Sequence, residues 1–316
     1  MSKRPLVILT GPTAVGKTRL SLELAKKIGG EIISADSMQV YRHMDIGSAK
    51  IMPEEMEGVT HHLIDVLDPQ EDFNVVLFQQ KCYEAMEKIY ASGHIPILTG
   101  GTGFYIQAVL YGIDFTENEE DISYRSYLEE IAKKPQGIET LHCMLQEVDP
   151  ASATAIHAHN VKRVIRALEF YHLTGQKISE HNESQRARQS AYNSAYFVLN
   201  DDREKLYVNI DRRVDQMVEK GLVKEVETLK EMGCHRSLVS MQGLGYKEIL
   251  DYLDGEISLD RAIYLIKRDT RHFAKRQLTW FRREKEVLWL NKPEFGYSDA
   301  KILAKMEEIL KEKEII

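Results

Sequence analysis

The sequence predicts an α/β protein in which a parallel β-sheet is flanked by helices and carries an all-helical insertion domain. Two apolar runs, one near the start of the chain and one at residues 95–99, each lead through a glycine-rich turn into a segment with helical periodicity. This order of strand, turn and helix is typical of parallel sheets. Residues 115–193 show helical patterns without an apolar strand, and a strand pattern returns at residues 194–199. We therefore expect an α/β core formed by residues 1–114 and 194–316, with residues 115–193 inserted as a helical domain.

Composition and charge limit the class of protein. With 316 residues, 43% hydrophobic and 29% charged, the chain fits a globular protein with two domains. No apolar run approaches the roughly 18 residues of a membrane-spanning helix, and the first residues lead directly into a strand, so we expect neither an anchor nor a signal peptide. Cys82, Cys143 and Cys234 are far apart, which favours a reducing cytoplasm and argues against a zinc site.

A phosphate-binding loop follows the first strand. Residues 11–18 match the pattern G-x-x-x-x-G-K-[ST] between an apolar run at residues 6–9 and a helix with leucines at helical spacing. By motif alone this is a nucleotide-binding loop of the kind that holds ATP, so the sheet is expected to be P-loop NTPase-like. Its amides would surround a diphosphate, Lys17 would neutralise the charge and Thr18 would bind Mg²⁺. The predicted diphosphate ligands are Gly11, Pro12, Thr13, Ala14, Val15, Gly16, Lys17 and Thr18.

Asp36 follows a second predicted strand, residues 31–35. The carboxyl ends of parallel strands meet at the ligand-binding edge of a sheet, which would bring Asp36 close to the phosphate loop. The pattern is equally compatible with an Asp36 that only caps a turn.

Three glycines follow the strand at residues 95–99: Gly100, Gly101 and Gly103. One glycine would be enough to form a turn, so the cluster favours a backbone that approaches a ligand closely, with the Thr102 hydroxyl beside it. The strand lacks the terminal acidic residue that holds Mg²⁺ in many ATPases, which argues against simple ATP hydrolysis.

Helical periodicity dominates the rest of the chain. An acidic stretch at residues 115–121 marks the start of the insertion, in which Lys162, Arg163 and Arg166 share one side of a helix. The insertion is expected to contain helices at residues 122–133, 138–148, 151–157 and 160–173, and then a polar stretch at residues 179–193. Beyond it we expect a helix from residue 202 interrupted by Gly221, a glycine turn at residues 240–247, a strand at residues 287–290 and a surface helix from residue 299.

A long basic helix is predicted at residues 261–285. It holds nine Lys or Arg residues and two acidic ones, in a chain whose net charge is −7. Apolar residues at every seventh position are expected to face the core: Ile266, Phe273 and Trp280. Basic residues fall on the other sides: Lys267, Arg271, Lys275 and Arg282. A solvated face is the common explanation of such a helix, but two basic helices on a phosphate-binding fold favour a nucleic-acid ligand.

Seven segments, in chain order, carry a family resemblance: GPTAVGKT, ISADSMQVYRHMDIGSAK, HHLIDVLDP, LTGGTGFYIQAVLYG, KRVIRALEF, QGLGYKEI and AKRQLTWFR. They resemble the bacterial tRNA dimethylallyltransferase (IPP transferase) family over nearly the whole chain. The resemblance implies transfer of a dimethylallyl group from dimethylallyl diphosphate to N6 of the adenosine 3′ of the anticodon in tRNA, with release of pyrophosphate. It implies Mg²⁺ as cofactor and the tRNA anticodon stem-loop as partner, in the cytoplasm and away from membranes. Nothing in the sequence demands more than a monomer.

The resemblance also assigns roles to residues. Asp36 would be the general base, Thr102 would contact substrate at the reaction centre, and Lys17 and Arg213 would support the diphosphate. Gln39 is a candidate for recognising a base edge, because an amide both donates and accepts. The residues expected to contact tRNA are Asp36, Ser37, Met38, Gln39, Thr102, Lys162, Arg163, Val164, Ile165, Arg166, Gln242, Gly243, Leu244, Gly245, Tyr246, Lys247, Lys275, Arg276, Gln277, Leu278, Thr279, Trp280, Phe281 and Arg282.

Three alternatives stand beside this hypothesis. A small-molecule kinase would use the same phosphate loop with ATP, and residues 115–193 would then serve as its lid. A P-loop protein that binds RNA without transferring a group would share the basic helices. A related prenyltransferase would modify free adenine nucleotides instead of tRNA, although the large insertion and the basic helix favour tRNA.

Overall fold

The computed structural model describes residues 3–115, 122–186 and 188–316 of the chain. Its contacts divide the chain into two compact units, the first formed by Met1–Gly112 with Ser190–Ile316 and the second by Ile113–Gln189. The sequence-based boundaries lay at residues 114/115 and 193/194. Most of the acidic stretch that suggested the first boundary, residues 116–121, is outside the described residues.

The first unit is built on a six-stranded sheet in which every pairing is parallel. Its strands are β1 (Arg4–Thr10), β2 (Gly30–Ala35), β3 (His61–His62), β4 (Ile95–Gly100), β5 (Tyr192–Asn200) and β6 (Val287–Asn291). Their order is β3-β2-β4-β1-β5-β6. Thr10 and Ala35 both pair with Gly100, so the carboxyl ends of β1, β4 and β2 are level with one another. Loops that follow these three strands therefore meet at one edge.

Thirteen α-helices lie in the described residues. In chain order they are α1 (Lys17–Ile28), α2 (Val75–Ala91), α3 (Gly103–Leu110), α4 (Ile122–Ala132), α5 (Gly137–Val148), α6 (Pro150–Ala155), α7 (Val161–Thr174), α8 (Ile178–Arg186), α9 (Arg203–Glu219), α10 (Leu222–Glu231), α11 (Tyr246–Leu253), α12 (Leu259–Phe281) and α13 (Asp299–Glu312). Helices α4 to α8 belong to the second unit, which contains no strand in its described part. No helix in the described part of the chain combines the length and apolarity needed to cross a membrane.

Both faces of the sheet are buried, because side chains alternate along each strand. Leu6 and Ile8 of β1 face a core layer with α2, α3, α10 and α11, while Val7 and Leu9 face a layer with α1 and α13. The helix predicted at the surface near the C-terminus, α13, packs against the second of these layers. One side of α13 is buried in the second layer, through Ile302, Leu303, Met306 and Leu310.

The second unit has its own core, which packs α4, α5 and α7 together. The polar stretch predicted at its end contains a helix, α8, that the sequence pattern did not indicate. Asp149 explains this helix, because its buried carboxylate accepts hydrogen bonds from the backbone and hydroxyl of Ser179 at 2.9 and 2.7 Å. It accepts two more from Ser152 in α6, and these four bonds keep the pKa of Asp149 below its usual range although burial raises it.

Candidate active site

A cleft of about 970 Å³ opens at the carboxyl ends of β1, β4 and β2. The phosphate loop enters it from β1, Asp36 enters from β2, and the glycine turn enters from β4. Gly16 adopts φ 101°, a left-handed conformation that suits glycine, and directs the loop into α1. The cleft thus gathers the predicted residues Lys17, Thr18 and Asp36, and Arg213 joins them from α9. All of these residues belong to the first unit.

Lys17 lies under its own loop, with Nζ donating to the carbonyl oxygens of Gly11 at 2.9 Å and Pro12 at 2.8 Å. Burial, together with the nearby charge of Arg213, lowers the pKa of Lys17 to about 7, although the charge of Asp36 acts in the opposite direction. A bound polyanion would favour the charged ammonium of Lys17.

Arg213 reaches the phosphate loop from α9. Its Nη1 donates to the hydroxyl of Thr13 at 3.5 Å. Burial lowers the pKa of Arg213, and the Asp36 carboxylate partly offsets this effect. Arg212 and Lys220 also line the cleft. Five cationic side chains line the cleft against four carboxylates, of which Asp45 pairs with Lys50 and Glu225 accepts backbone N–H groups. The excess of positive charge suits a diphosphate.

A second cavity of about 440 Å³ adjoins the cleft and has a largely apolar lining. Phe73, Tyr105 and Ile266 contribute to its wall, and Thr102 lies in it beside them. Asp36 lines both cavities, as does Arg213. The structure therefore places a carboxylate where a cationic cleft meets an apolar pocket.

Asp36 satisfies both interpretations of its sequence position. Its Oδ1 accepts a hydrogen bond from the backbone N–H of Met38 at 2.8 Å, so it does cap a turn. The same turn holds the carboxyl group at the junction of the two cavities, because it fixes the side chain against the start of the following loop.

Oxygen ligands in the cleft fit a magnesium ion. Thr18, Asp36 and Thr99 all line it, and the Thr99 hydroxyl is buried without a hydrogen-bond partner in the described part of the chain. Hydroxyl and carboxylate oxygens are ligands that Mg²⁺ accepts together with water and substrate phosphates. Among the described residues, no group of three His, Cys, Asp or Glu could hold a metal alone, so a cation here would need the ligand's oxygens as well.

The glycines of the turn after β4 leave room for protein neighbours, and Gly100 and Gly101 also line the cleft. A Cβ atom on Gly100 would come within 2.3 Å of the Ala35 carbonyl oxygen. A Cβ on Gly101 would come within 2.1 Å of Gln277 Nε2, and one on Gly103 within 2.2 Å of the Trp280 ring. The glycines therefore allow β2 and α12 to pack closely against the turn.

Several residues predicted to contact tRNA are instead buried in the protein. Val164 and Ile165 belong to the core of the second unit, and Phe281 is fully buried in the first. Tyr246 is also fully buried, with its hydroxyl donating to Glu225 at 2.9 Å, and Gly245 beside it is buried as well. These side chains stabilise the fold, because burial leaves them no surface to offer a polynucleotide.

Gln39 and Gln277 use their amides within the protein. Gln39 Oε1 accepts from the Ser34 hydroxyl at 3.0 Å, and its Nε2 donates to the carbonyl oxygen of Ala49 at 3.3 Å. Gln277 is 6% exposed. Gln39 thus holds the loop after β2, and its half-buried side chain also lines the cleft.

The remaining candidates are accessible. Lys162, Arg163 and Arg166 are exposed on α7. Around the apolar pocket of the first unit, the lining includes Ser37, Met38, Thr102, Gln242, Gly243, Leu244, Lys247 and Arg276. On α12 and just after it, Lys275, Thr279 and Arg282 are exposed, while Leu278 and Trp280 are half-buried.

Part of the positive charge on α12 is neutralised internally. Lys267 pairs with Asp215 at 2.5 Å and Arg271 with Asp211 at 2.5 Å, both across to α9. Arg268 pairs with its neighbour Asp269. Lys267 and Arg271 lie away from the apolar stripe, as predicted, and α9 supplies them with acidic partners that lie far away in sequence.

Sequence reasoning missed Glu225, which holds the loop that lines the cleft after β2. Its two carboxylate oxygens accept the backbone N–H groups of Asp45, Ile46 and Gly47 at 2.7 to 3.0 Å. Lys50 supports the same loop from inside, with Nζ bonded to the Tyr41 carbonyl oxygen at 2.7 Å. Lys50 ends one of the segments that carry the family resemblance, whereas Glu225 lies in none of them.

Comparison with known proteins identifies the family. The family model described as IPP transferase matches residues 39–284. The tRNA dimethylallyltransferase of Lachnoclostridium phytofermentans is 65% identical over 313 residues, which cover 99% of each chain. The chain belongs to the IPP transferase family. The tRNA dimethylallyltransferase of Acetivibrio thermocellus, another relative, is 50% identical over 305 residues, or 96% of this chain and 97% of that one.

Solved structures share the fold of this family member. The full-length tRNA isopentenylpyrophosphate transferase of Bacillus halodurans has a TM-score of 0.74 and 45% identity, covering 99% of this chain and 98% of that chain. A eukaryotic dimethylallyltransferase acting on tRNA has a TM-score of 0.79 and 31% identity, covering 91% of this chain and 74% of that chain. The family resemblance and the predicted α/β, P-loop-like fold class are confirmed.

Proposed function

We propose that the protein transfers a dimethylallyl group from dimethylallyl diphosphate to N6 of the adenosine 3′ of the anticodon in tRNA and releases pyrophosphate. The observation that carries this proposal is the position of Asp36, at the junction of a cationic cleft and an apolar pocket. A prenyl diphosphate has the same two parts, an anionic head and an apolar chain. The names of the relatives, tRNA dimethylallyltransferases, support the same reaction.

The diphosphate head fits the cleft of the phosphate loop. Lys17 and Arg213 would contribute positive charge, and the loop amides with the N-terminus of α1 would bind the oxygens. The same groups would stabilise the charge that develops on pyrophosphate as the carbon–oxygen bond breaks. The dimethylallyl chain would extend into the apolar pocket beside Tyr105 and Phe73.

Magnesium would be held by Thr18 and Thr99 together with oxygens of the diphosphate, as the donor set of the cleft allows. When bound, it supplies Lewis-acid stabilisation of the leaving group. Lys17 and Arg213 would also stabilise the negative charge of the leaving pyrophosphate, so these residues and the ion would act on the same group.

Asp36 would remove the proton from the exocyclic amine of adenosine. The neutral amine is a weak nucleophile, and loss of its proton to a carboxylate as the new bond forms makes the attack favourable. The adenosine must leave its stack to reach this position, as bases do in other nucleic-acid-modifying enzymes. Thr102 lies in the pocket and would contact the substrate there.

Exposed cations supply candidate contacts to the tRNA backbone. They lie on α7 in the second unit and on or just after α12 in the first, where Lys275, Arg276, Arg282 and Arg283 have no ionic partner among the described residues. Each neutralised phosphate would contribute to affinity and to its dependence on salt. We propose that the enzyme meets tRNA in the cytoplasm and acts as a monomer.

A comparison of acceptors tests the proposal. Purified protein is incubated with dimethylallyl diphosphate, Mg²⁺ and either unmodified tRNA or AMP, and the prenylated product is quantified. We expect transfer to tRNA, with transfer to AMP near background, because AMP lacks the contacts to the exposed cations. Efficient transfer to AMP would instead support a prenyltransferase for free nucleotides, and consumption of ATP without any prenyl transfer would support a kinase.

A further inference from the structure

We propose that Gln277 is a positioning residue that fixes the phosphate loop for diphosphate binding, an inference that rests on the proposed function of the cleft. Sequence resemblance placed Gln277 among the tRNA contacts. The structure assigns it a different task, because its side chain is buried and connects the two loops that form the cleft.

One amide connects both loops to α12. Gln277 Oε1 accepts the backbone N–H of Thr13 in the phosphate loop at 2.9 Å. Its Nε2 donates to the carbonyl oxygen of Gly101 in the glycine turn at 3.0 Å. Both bonds require a side chain that is as long as glutamine and ends in both a donor and an acceptor. Gly101 leaves the space for this amide, because a Cβ on Gly101 would come within 2.1 Å of Gln277 Nε2.

Thr13 is the point through which Gln277 affects the cleft. The Thr13 backbone is held by α12 through Gln277, and its hydroxyl accepts a hydrogen bond from Arg213 of α9. Below the loops, the Thr10 hydroxyl donates to the Gly100 carbonyl oxygen at 2.7 Å and ties the strand ends together. Gln277 is thus the connection at the level of the loops, and its loss would free the Thr13 end of the phosphate loop beside Arg213.

This arrangement predicts that loss of Gln277 weakens the binding of one substrate and not of the other. A looser phosphate loop loses more conformational entropy when it becomes ordered around the diphosphate. The affinity for pyrophosphate and for dimethylallyl diphosphate therefore falls. Affinity for tRNA should be unchanged, because the buried amide has no surface to offer it. A direct tRNA contact would give the opposite pattern.

Two variants test the proposal, with pyrophosphate binding measured by titration calorimetry in the presence of Mg²⁺ and tRNA binding measured separately. Gln277→Met keeps the volume and removes both hydrogen bonds, while Gln277→Asn keeps the amide but shortens it by one methylene. We expect both to bind pyrophosphate on the order of tenfold more weakly, as the loss of one or two hydrogen bonds predicts. The KM for dimethylallyl diphosphate should rise in parallel, and tRNA affinity should stay within about twofold of wild type.

Gln80→Met is the matched control, since it makes the same exchange at an exposed position of α2 that lines neither cavity. Thermal unfolding of each variant confirms that the fold is retained. Wild-type pyrophosphate affinity in both Gln277 variants, or a selective loss of tRNA affinity, would overturn the proposal. Because pyrophosphate binding is measured without an acceptor, a failure of prenyl transfer in the wild-type enzyme is distinguished from a failure of this inference.

Discussion

At the scale of single residues, Asp36 connects local backbone geometry with chemistry. Its Oδ1 accepts the N–H of Met38, which orients the carboxylate, and the side chain lines both the cationic cleft and the apolar pocket. A group that is held by a turn and placed between the two parts of a prenyl diphosphate suits a general base, because proton transfer requires a fixed short distance to the attacking amine.

Replacing Asp36 with asparagine separates these two roles. Asp36→Asn keeps an oxygen that accepts the Met38 N–H, so the turn should persist, but it removes the basic carboxylate. We expect kcat for prenyl transfer to fall on the order of 10²–10⁴-fold. Affinity for tRNA, measured by filter binding, should change little. Turnover at the wild-type rate would exclude Asp36 as the base.

Residues within contiguous motifs were predictable, and residues that act through distant contacts were not. Lys17 and Thr18 follow from a pattern of eight positions, whose local geometry is set by the chain itself. Gln277 bonds to a residue 264 positions away, and Glu225 bonds to a loop about 180 positions away. Such contacts depend on the tertiary fold, so no spacing in the sequence could indicate them.

At the scale of elements, α12 has three distinct sides. Ile266 and Phe281 face the core, and Lys267 and Arg271 pair with acidic residues of α9. Gln277 faces the cleft. The sequence pattern predicted the helix and the core position of Ile266, since 3.6-residue periodicity is a local property. Phe273 was also predicted to face the core, but it lines both cavities instead. The pattern did not predict which cations are neutralised, because that depends on the neighbouring helix.

Helix α7 provides a test of the predicted tRNA contact. A triple variant removes three exposed charges from this helix by replacing Lys162, Arg163 and Arg166 with alanine at the same time. If each neutralises one phosphate, tRNA affinity falls and the slope of log K against log salt becomes shallower by about 2 to 3. Binding isotherms at several salt concentrations measure both. As a control, Lys133→Ala with Lys134→Ala removes exposed charges elsewhere in the same unit, and an unchanged slope in the α7 variant would mean that this helix faces away from the tRNA.

The limits of prediction at this scale have physical causes. Strands β1, β2, β4, β5 and β6 were predicted because buried parallel strands are short apolar runs. Helix α8 was missed because its stability depends on the buried Asp149, thirty residues before Ser179. Gly221 was predicted to interrupt a helix, and its φ of 102° separates α9 from α10.

At the scale of the whole molecule, the strand order determines where chemistry can occur. Because β4 lies between β2 and β1, the loops that carry Asp36, the glycine turn and Lys17 emerge side by side. Helices on both faces hold the sheet, and α9 and α12 extend over its carboxyl edge to add Arg213 and Gln277. Motif reasoning identified the separate loops, and the parallel sheet is what brings them into one cleft.

The central claim is that the phosphate loop holds the leaving group of a prenyl transfer to tRNA. The most direct measurement follows pyrophosphate release and formation of N6-dimethylallyladenosine in the same reaction of protein, unmodified tRNA, dimethylallyl diphosphate and Mg²⁺. We predict that the two products appear in equal amounts, and that both stop when Mg²⁺ is chelated or when ATP replaces the prenyl diphosphate. Pyrophosphate or phosphate released from ATP, with no prenylated adenosine in the tRNA, would contradict the account.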